Sequence, residues 1–212
     1  MKVEEFKKIV PKIDKIELKG FEAQSKLAPE NRINELALQE DSNTRNASVM
    51  ALIYPKQDIM HMALILRTQY KGNHSGQVAL PGGKQEAFDE SHWHTALREV
   101  EEEIGVPVAE VNLLKALSSL YVPVSKFKVY PFLAESKNEL RFTLQTSEVA
   151  DLIEMPLDYF IFESNIEHIT VKTSLSNSLK VPAFVYENHV IWGATAMILS
   201  ELKVLFIDSM DL

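Results

Sequence analysis

The stretch from Pro81-Gly82-Gly83-Lys84 to Gly105-Val106 constrains this chain more than any other part of it. Adjacent glycines open backbone conformations closed to residues with a Cβ and let other groups approach closely. Beyond them the spacing predicts a helix over about residues 89–104, with Leu97, Val100 and Ile104 on one stripe facing a core. Glu99, Glu102 and Glu103 stand at i, i+3 and i+4, so they share a second face. Gly105 supplies the helix stop. A run such as Glu101-Glu102-Glu103 is ordinarily a solvated acidic face, but plain folding does not call for three crowded carboxylates. A divalent cation would offset their repulsion, and oxygen ligands suit magnesium or manganese.

The flanks say what this unit is built into. SVMALIYP (48–55) and HMALILRT (61–68) are apolar runs separated by a short polar turn, which predicts two paired, buried strands. A glycine-punctuated loop, 71–84, leads into the helix. Residues 111–122 and 128–136 read as further strands, followed by a loop at 137–150 and a mixed segment around EVADLIEMPLDYFI. A hairpin is expected from 181–187 and 189–193, and a C-terminal helix over 194–207. In residues 1–40, Val3, Phe6, Val10 and Ile13 recur at helical spacing, with Pro11 expected to interrupt or kink the segment. Strands alternating with helices predict a layered α/β fold around a mixed sheet.

Composition excludes several functions. The 212 residues suit one domain with an extension, and such a chain can bury a sizeable core unaided. With no Cys it has no disulfide, thiolate nucleophile or thiolate-bound zinc, which fits a cytoplasmic protein. A net charge of −8 without a basic tract argues against a nucleic-acid partner. The charged first residues do not read as a secretory signal, and no stretch reaches the roughly 20 apolar residues a membrane span needs. His92 and His94 flank Trp93, but residues two apart on a helix point to different faces, so they are not read as a zinc pair. Trp93 and Trp192 are expected in the core or a pocket wall.

Arg98-Glu99-Val100-Glu101-Glu102-Glu103-Ile104-Gly105-Val106 closely resembles the second half of the Nudix box, in which a glycine turn and an acidic position precede this string. The spacing from Gly83 to Arg98 is one residue longer than in the general box, so the early acid is Glu90, at the box distance from Arg98, or Asp89, at the box distance from the glycine. The longer spacing and Thr95-Ala96-Leu97-Arg98-Glu99 resemble the coenzyme A pyrophosphatase branch. So do Leu64, Arg67, Gly76 and Pro81-Gly82-Gly83 upstream, and Tyr121-Val122-Pro123, Ser125, Phe127 and Val129-Tyr130-Pro131 downstream. Glu148-Val149, Met155-Pro156-Leu157 and Ile191 to Ala196 extend the resemblance to about residue 205. Gly72 stands where that branch has a second arginine, Leu80 where it has Phe, and Ile65 where it has Thr. Thr68 stands at a small-residue position.

The resemblance implies a Nudix α/β/α sandwich with a mixed sheet over 41–212, on which the helical spacing in 1–40 predicts a packed helical extension. It implies metal-dependent hydrolysis of the coenzyme A diphosphate, with Mg²⁺ or Mn²⁺ as cofactor. Glu99, Glu102 and Glu103 would be the main ligands, supported by Glu90 (or Asp89) directly or through water. Arg98 would orient a carboxylate or clamp the loop, its plain alternative being a surface ion pair. Glu148 is the candidate general base outside the box, or else a helix N-terminal charge. Arg67 is a candidate for the 3′-phosphate of coenzyme A, and Lys71 for the charge missing at Gly72. Lys84 would contact the diphosphate, Gly82 and Gly83 would admit it, and Tyr121 and Phe127 would line the pocket. ADP-ribose or a dinucleotide is the alternative substrate, and a non-catalytic nucleotide-binding domain the alternative class. A homodimer stays open.

Overall fold

Strand β1 (Arg45–Lys56) organises the molecule, because it bonds to neighbours along both edges. The computed structural model describes residues 1–29, 42–69, 74–162, 166–172 and 178–211. One edge of β1 runs parallel to β7 (Phe127–Glu135), from Arg45 opposite Phe127 to Ile53 opposite Glu135. The other edge is shared. Its far half pairs antiparallel with β2 (Ile59–Arg67), and its near half with β4 (Gly82–Lys84). β2 also carries β3 (Val78–Ala79) and β8 (Val149–Pro156), while β7 carries β5 (Asn112–Ala116) and β6 (Leu120–Val122). The parallel β1–β7 pair among antiparallel ones makes the eight-stranded sheet mixed, as expected.

Alternation along β1 divides the core into two layers. Met50, Leu52 and Tyr54 are buried on the face covered by α3 (His92–Ile104), whose Leu97, Val100 and Ile104 form the predicted stripe. Ala47, Ala51 and Ile53 face the opposite layer, built by α1 (Val3–Ile13) and α5 (Gly193–Asp211) around Phe6, Ile9, Leu202 and Phe206. The result is helix, sheet, helix. Two short elements, α2 (Phe21–Gln24) and α4 (Leu157–Ile161), fill the rim. A second, three-stranded sheet, β9 (Ile166–Val171), β10 (Leu179–Tyr186) and β11 (His189–Trp192), leads into α5.

Several expectations change. Pro11 neither interrupts nor ends α1, which continues to Ile13. It removes a hydrogen bond only from the carbonyl of Lys7, one turn back on the exposed side, where water can replace it. The buried stripe is Phe6, Ile9 and Ile13, with Val3 and Val10 only partly buried. The segment 111–122 is two strands rather than one, with a register shift between Leu113 and Lys115. The expected loop 71–84 contains β3 and β4, and β9 was not anticipated. Residues 30–41 of the lead-in fall outside the described residues.

Glu201, a carboxylate in the middle of α5 with 1% exposure, secures the lead-in. It accepts the Gly20 N–H at 2.8 Å and the Ser118 N–H at 3.0 Å. Gln24 Nε2 donates at 3.5 Å to the same oxygen that accepts from Ser118, and to the Ser118 carbonyl at 3.0 Å. One buried acid thus joins the N-terminal segment, α5 and the β5–β6 connection. A buried charge is tolerable only when hydrogen-bonded in this way. Glu201→Ala strands two backbone donors and should destabilise the fold by about 2–5 kcal/mol. Urea unfolding tests this; an unchanged midpoint would mean the clamp contributes nothing.

Candidate active site

The glycine turn and the acidic helix meet because β4 is inserted beside β1 directly under α3. Gly82 has φ +147°, and a Cβ there would lie 2.2 Å from the carbonyl oxygen of Ser48. At Gly83 a Cβ would lie 2.4 Å from a carboxylate oxygen of Glu99. Gly82 is therefore a spatial requirement of the sheet, whereas a side chain at Gly83 would fit only by displacing the Glu99 carboxylate. α3 itself is well bounded, by the Ser91 side chain accepting the His94 N–H at 3.2 Å and by Gly105 in the left-handed conformation.

The three box glutamates have different surroundings. Glu103 is 2% exposed, accepts the Gly82 N–H at 2.7 Å and lies 3.3 Å from Arg67 Nη1. Glu99 is 13% exposed, and Glu102 is open to solvent. Arg98 Nη1 sits between these two, 2.8 Å from Glu99 and 2.9 Å from Glu102. The rest of its guanidinium forks onto Asp89, Nε and Nη2 each at 3.0 Å, and Nη2 also donates to the Lys84 carbonyl at 3.0 Å. The Asp89 carboxylate is covered and accepts from the Glu86 N–H and the Thr95 hydroxyl as well. Arg98 thus clamps the turn to the helix, one of its two expected roles.

Of the two candidates for the early acid, the structure brings Asp89 to the cluster. Glu90 points into solvent, 83% exposed and beside His94, and is not brought to the cluster. His92 stacks on Tyr130 and Trp93 packs edge-on against Phe132, so the two histidines do diverge.

A cleft of about 540 Å³ opens beside the cluster. Glu99, Glu103 and Glu148 line it, as do Arg67, Lys84, Gly82 and Gly83. Phe127 is in the wall, whereas Tyr121, half-buried on β6, is not among the lining residues. Lys84 is tied to Glu86 at 3.2 Å. Lys71 and Gly72 fall outside the described residues. Arg45, Gln77 and Thr195 also line the cleft. Arg45 was not singled out from the sequence, although it shares a strand face with Ala47 and Val49; nothing in the sequence says which face opens outward.

Charge and burial oppose each other here. Burial pushes the Glu103 carboxyl up to about 7, against the Gly82 amide and Arg67, with Glu99 and Glu148 adding repulsion. Burial also raises Glu99, against the pull of Arg98. The Arg98 fork holds Asp89 down, to about 2. The stability consequences have opposite signs. Glu103 contributes stability below its unfolded value of 4.5 and loses it as pH rises through about 7. Asp89 contributes stability above 3.8 and loses it as pH falls through about 2.

A model of the NUDIX domain matches residues 44–171, more than half of the chain. The chain belongs to the Nudix family. A protein of Yersinia pestis named as the uncharacterized Nudix hydrolase NudL is 32% identical over 174 residues, covering 82% of this chain and 85% of the relative. Its Yersinia pseudotuberculosis counterpart matches equally. Among solved structures, the Nudix hydrolase RenU of Mycobacterium smegmatis superposes with a TM-score of 0.52 at 14% identity, over 86% of this chain and 94% of that one. A MutT/nudix family protein of Enterococcus faecalis gives 0.51 at 17% identity, over 85% and 68%. These two likenesses establish the fold. The chain is thus a Nudix pyrophosphohydrolase, acting on a nucleoside diphosphate derivative in a family that uses divalent metal cations. No helix among the described residues is long and apolar enough to cross a membrane.

The side chains fit such a cation. The donor set is carboxylate oxygen, Glu103 is buried with one cation at 3.3 Å, and the missing Cβ of Gly83 leaves room beside Glu99. Among the described residues no three acids or imidazoles already converge as a ligand group, because Arg98 stands between Glu99 and Glu102. Two measurements check this geometry. In the metal-free protein, the melting temperature of the parent relative to Glu103→Gln should fall as pH rises from about 4.5 through 7, and a flat difference would show that the acid is not buried in this way. Gly83→Ala should fold yet displace Glu99, lowering turnover by at least about 10-fold; undiminished turnover would mean that the close approach is unimportant.

Proposed function

We propose that this Nudix hydrolase cleaves the diphosphate of coenzyme A or its derivatives, giving 4′-phosphopantetheine and adenosine 3′,5′-bisphosphate. The observation that carries the reading is the make-up of the cleft. Its floor is acidic, with Glu99, Glu103 and Glu148, and its wall adds Lys84, Arg45 and the aromatic ring of Phe127. A diphosphate ester with a further phosphate and a long, partly apolar arm matches that combination. Val49, Leu80, Val122 and Val129 supply the apolar part. The branch resemblance at Thr95 to Glu99, at Pro81 to Gly83 and in the longer spacing before Arg98 supports the same substrate.

Glu99, Glu102 and Glu103 would hold Mg²⁺ or Mn²⁺. The bound ion supplies charge neutralisation on the diphosphate and acidifies water. Arg98 is a positioning residue: anchored on Asp89, it presents Glu99 and Glu102 on one side and the Lys84 carbonyl on the other. Glu148, which lines the same cleft as Glu99 and Glu103, would take the proton of the attacking water. Gly82 and Gly83 line the cleft without side chains that would obstruct the diphosphate, and Lys84 can leave Glu86 to meet it. Gly72 in place of an arginine favours the second reading, an ADP-ribose-like or dinucleotide substrate.

Purified protein with Mg²⁺ or Mn²⁺ and a panel of coenzyme A, acyl derivatives, ADP-ribose and dinucleotides decides between them. Coenzyme A should give the highest kcat/KM, and Glu103→Gln should lower kcat at least about 100-fold with the fold retained. Higher kcat/KM for ADP-ribose would overturn the substrate, and full activity in Glu103→Gln would overturn the site.

A further inference from the structure

Arg45 opens β1 and, with Ala47 and Val49, lines the cleft, since residues two apart on a strand share a face. The register sets their order. Val49 is level with Gly82, whose amide holds Glu103; Ala47 is level with Lys84; Arg45 is level with Phe127. A line therefore runs from the acidic floor past Lys84 to Arg45, spanning about 13 Å of extended strand. That is the scale separating a diphosphate from a phosphate on the far side of a ribose, once the reach of an arginine side chain is included.

The cations along this line differ in which acids stand beside them. Arg67 is held by Glu103 at 3.3 Å and Lys84 by Glu86 at 3.2 Å. Among the described residues no carboxylate forms an ion pair with Arg45. Its guanidinium donates to the Ser125 carbonyl at 3.1 Å and lies 4.2 Å from the centre of the Phe127 ring. Those contacts orient the plane on the wall, and they leave the guanidinium's charge uncompensated by any described acid in a protein of net charge −8.

We infer that Arg45 recognises a phosphate monoester carried by the substrate away from its diphosphate, and so selects 3′-phosphorylated adenosine derivatives over those with a free ribose. The inference rests on the proposed function for the identity of that substrate. It gives Arg45 the role expected of Arg67, whose guanidinium lies 3.3 Å from the buried Glu103 beside the acidic floor, at the diphosphate end of this line. An arginine suits this role, because its planar fork can give two N–H groups to one phosphate.

Calorimetric titration with adenosine 3′,5′-bisphosphate and with 5′-AMP tests this without any hydrolysis. The parent should bind the bisphosphate at least about 10-fold more tightly than AMP. Arg45→Gln should bind both alike, and Arg45→Lys should keep part of the difference. Arg45 is exposed, so these variants should melt like the parent. A parent that fails to distinguish the ligands, including by binding neither, overturns the inference, as does an Arg45→Gln protein that still distinguishes them. Turnover separates this from the substrate reading: a parent that prefers the bisphosphate but leaves coenzyme A uncleaved supports Arg45 and contradicts coenzyme A hydrolysis. If coenzyme A is cleaved and Arg45→Gln impairs it no more than its 3′-dephosphorylated form, Arg45 is the part that fails.

Discussion

The hydrogen bond from the Gly82 amide to the buried Glu103 carboxylate joins the sheet to the helix at the point where the chemistry must occur. It forms only because Gly82 can sit against the Ser48 carbonyl, where any side chain would collide. Once Glu103 is fixed, Glu99 falls one turn earlier on the same face, over Gly83. Arg98, just before Glu99 in sequence, reaches back to Asp89 and closes the preceding loop. The cluster is therefore held by two arginines, and both are themselves held by acids. Burying such charge has a cost, seen in the raised carboxyl of Glu103. A divalent cation is the group that would relieve it.

Much of this was legible in the sequence, for a physical reason. Leu97, Val100 and Ile104 repeat at a period only a helix satisfies, and all three are buried against β1. The short apolar runs 48–55 and 61–68, joined by a polar turn, read as paired buried strands, and they pair as expected. Gly82 and Gly83 announced close approach, though what approaches, a carbonyl and a carboxylate, needed the structure. Other features depend on tertiary contacts. Pro11 stays inside α1 because packing of Phe6, Ile9 and Ile13 outweighs one lost hydrogen bond. Asp89 and Glu90 are equivalent acids by spacing; contacts with Arg98 and Thr95 bring the aspartate, not the glutamate, to the cluster. Arg45 carries no local signal, since its meaning comes from the register of β1 against β4 and β7.

The outer layers also serve the site. α5 begins at Gly193, directly after Trp192, and Thr195 in its first turn lines the cleft while donating to the Val78 carbonyl at 3.3 Å. The same helix carries Glu201, which ties down the N-terminal segment. The segments before and after the Nudix match thus complete a wall of the cleft and brace it.

Whether the box glutamates hold a cation is tested most directly by titrating the metal-free protein with Mn²⁺ near neutral pH, followed by calorimetry and by the change in melting temperature. Coordination by these residues predicts saturable binding that raises the melting temperature in the parent and is lost in both Glu99→Gln and Glu103→Gln. Binding of equal strength in the parent and in both variants would contradict it.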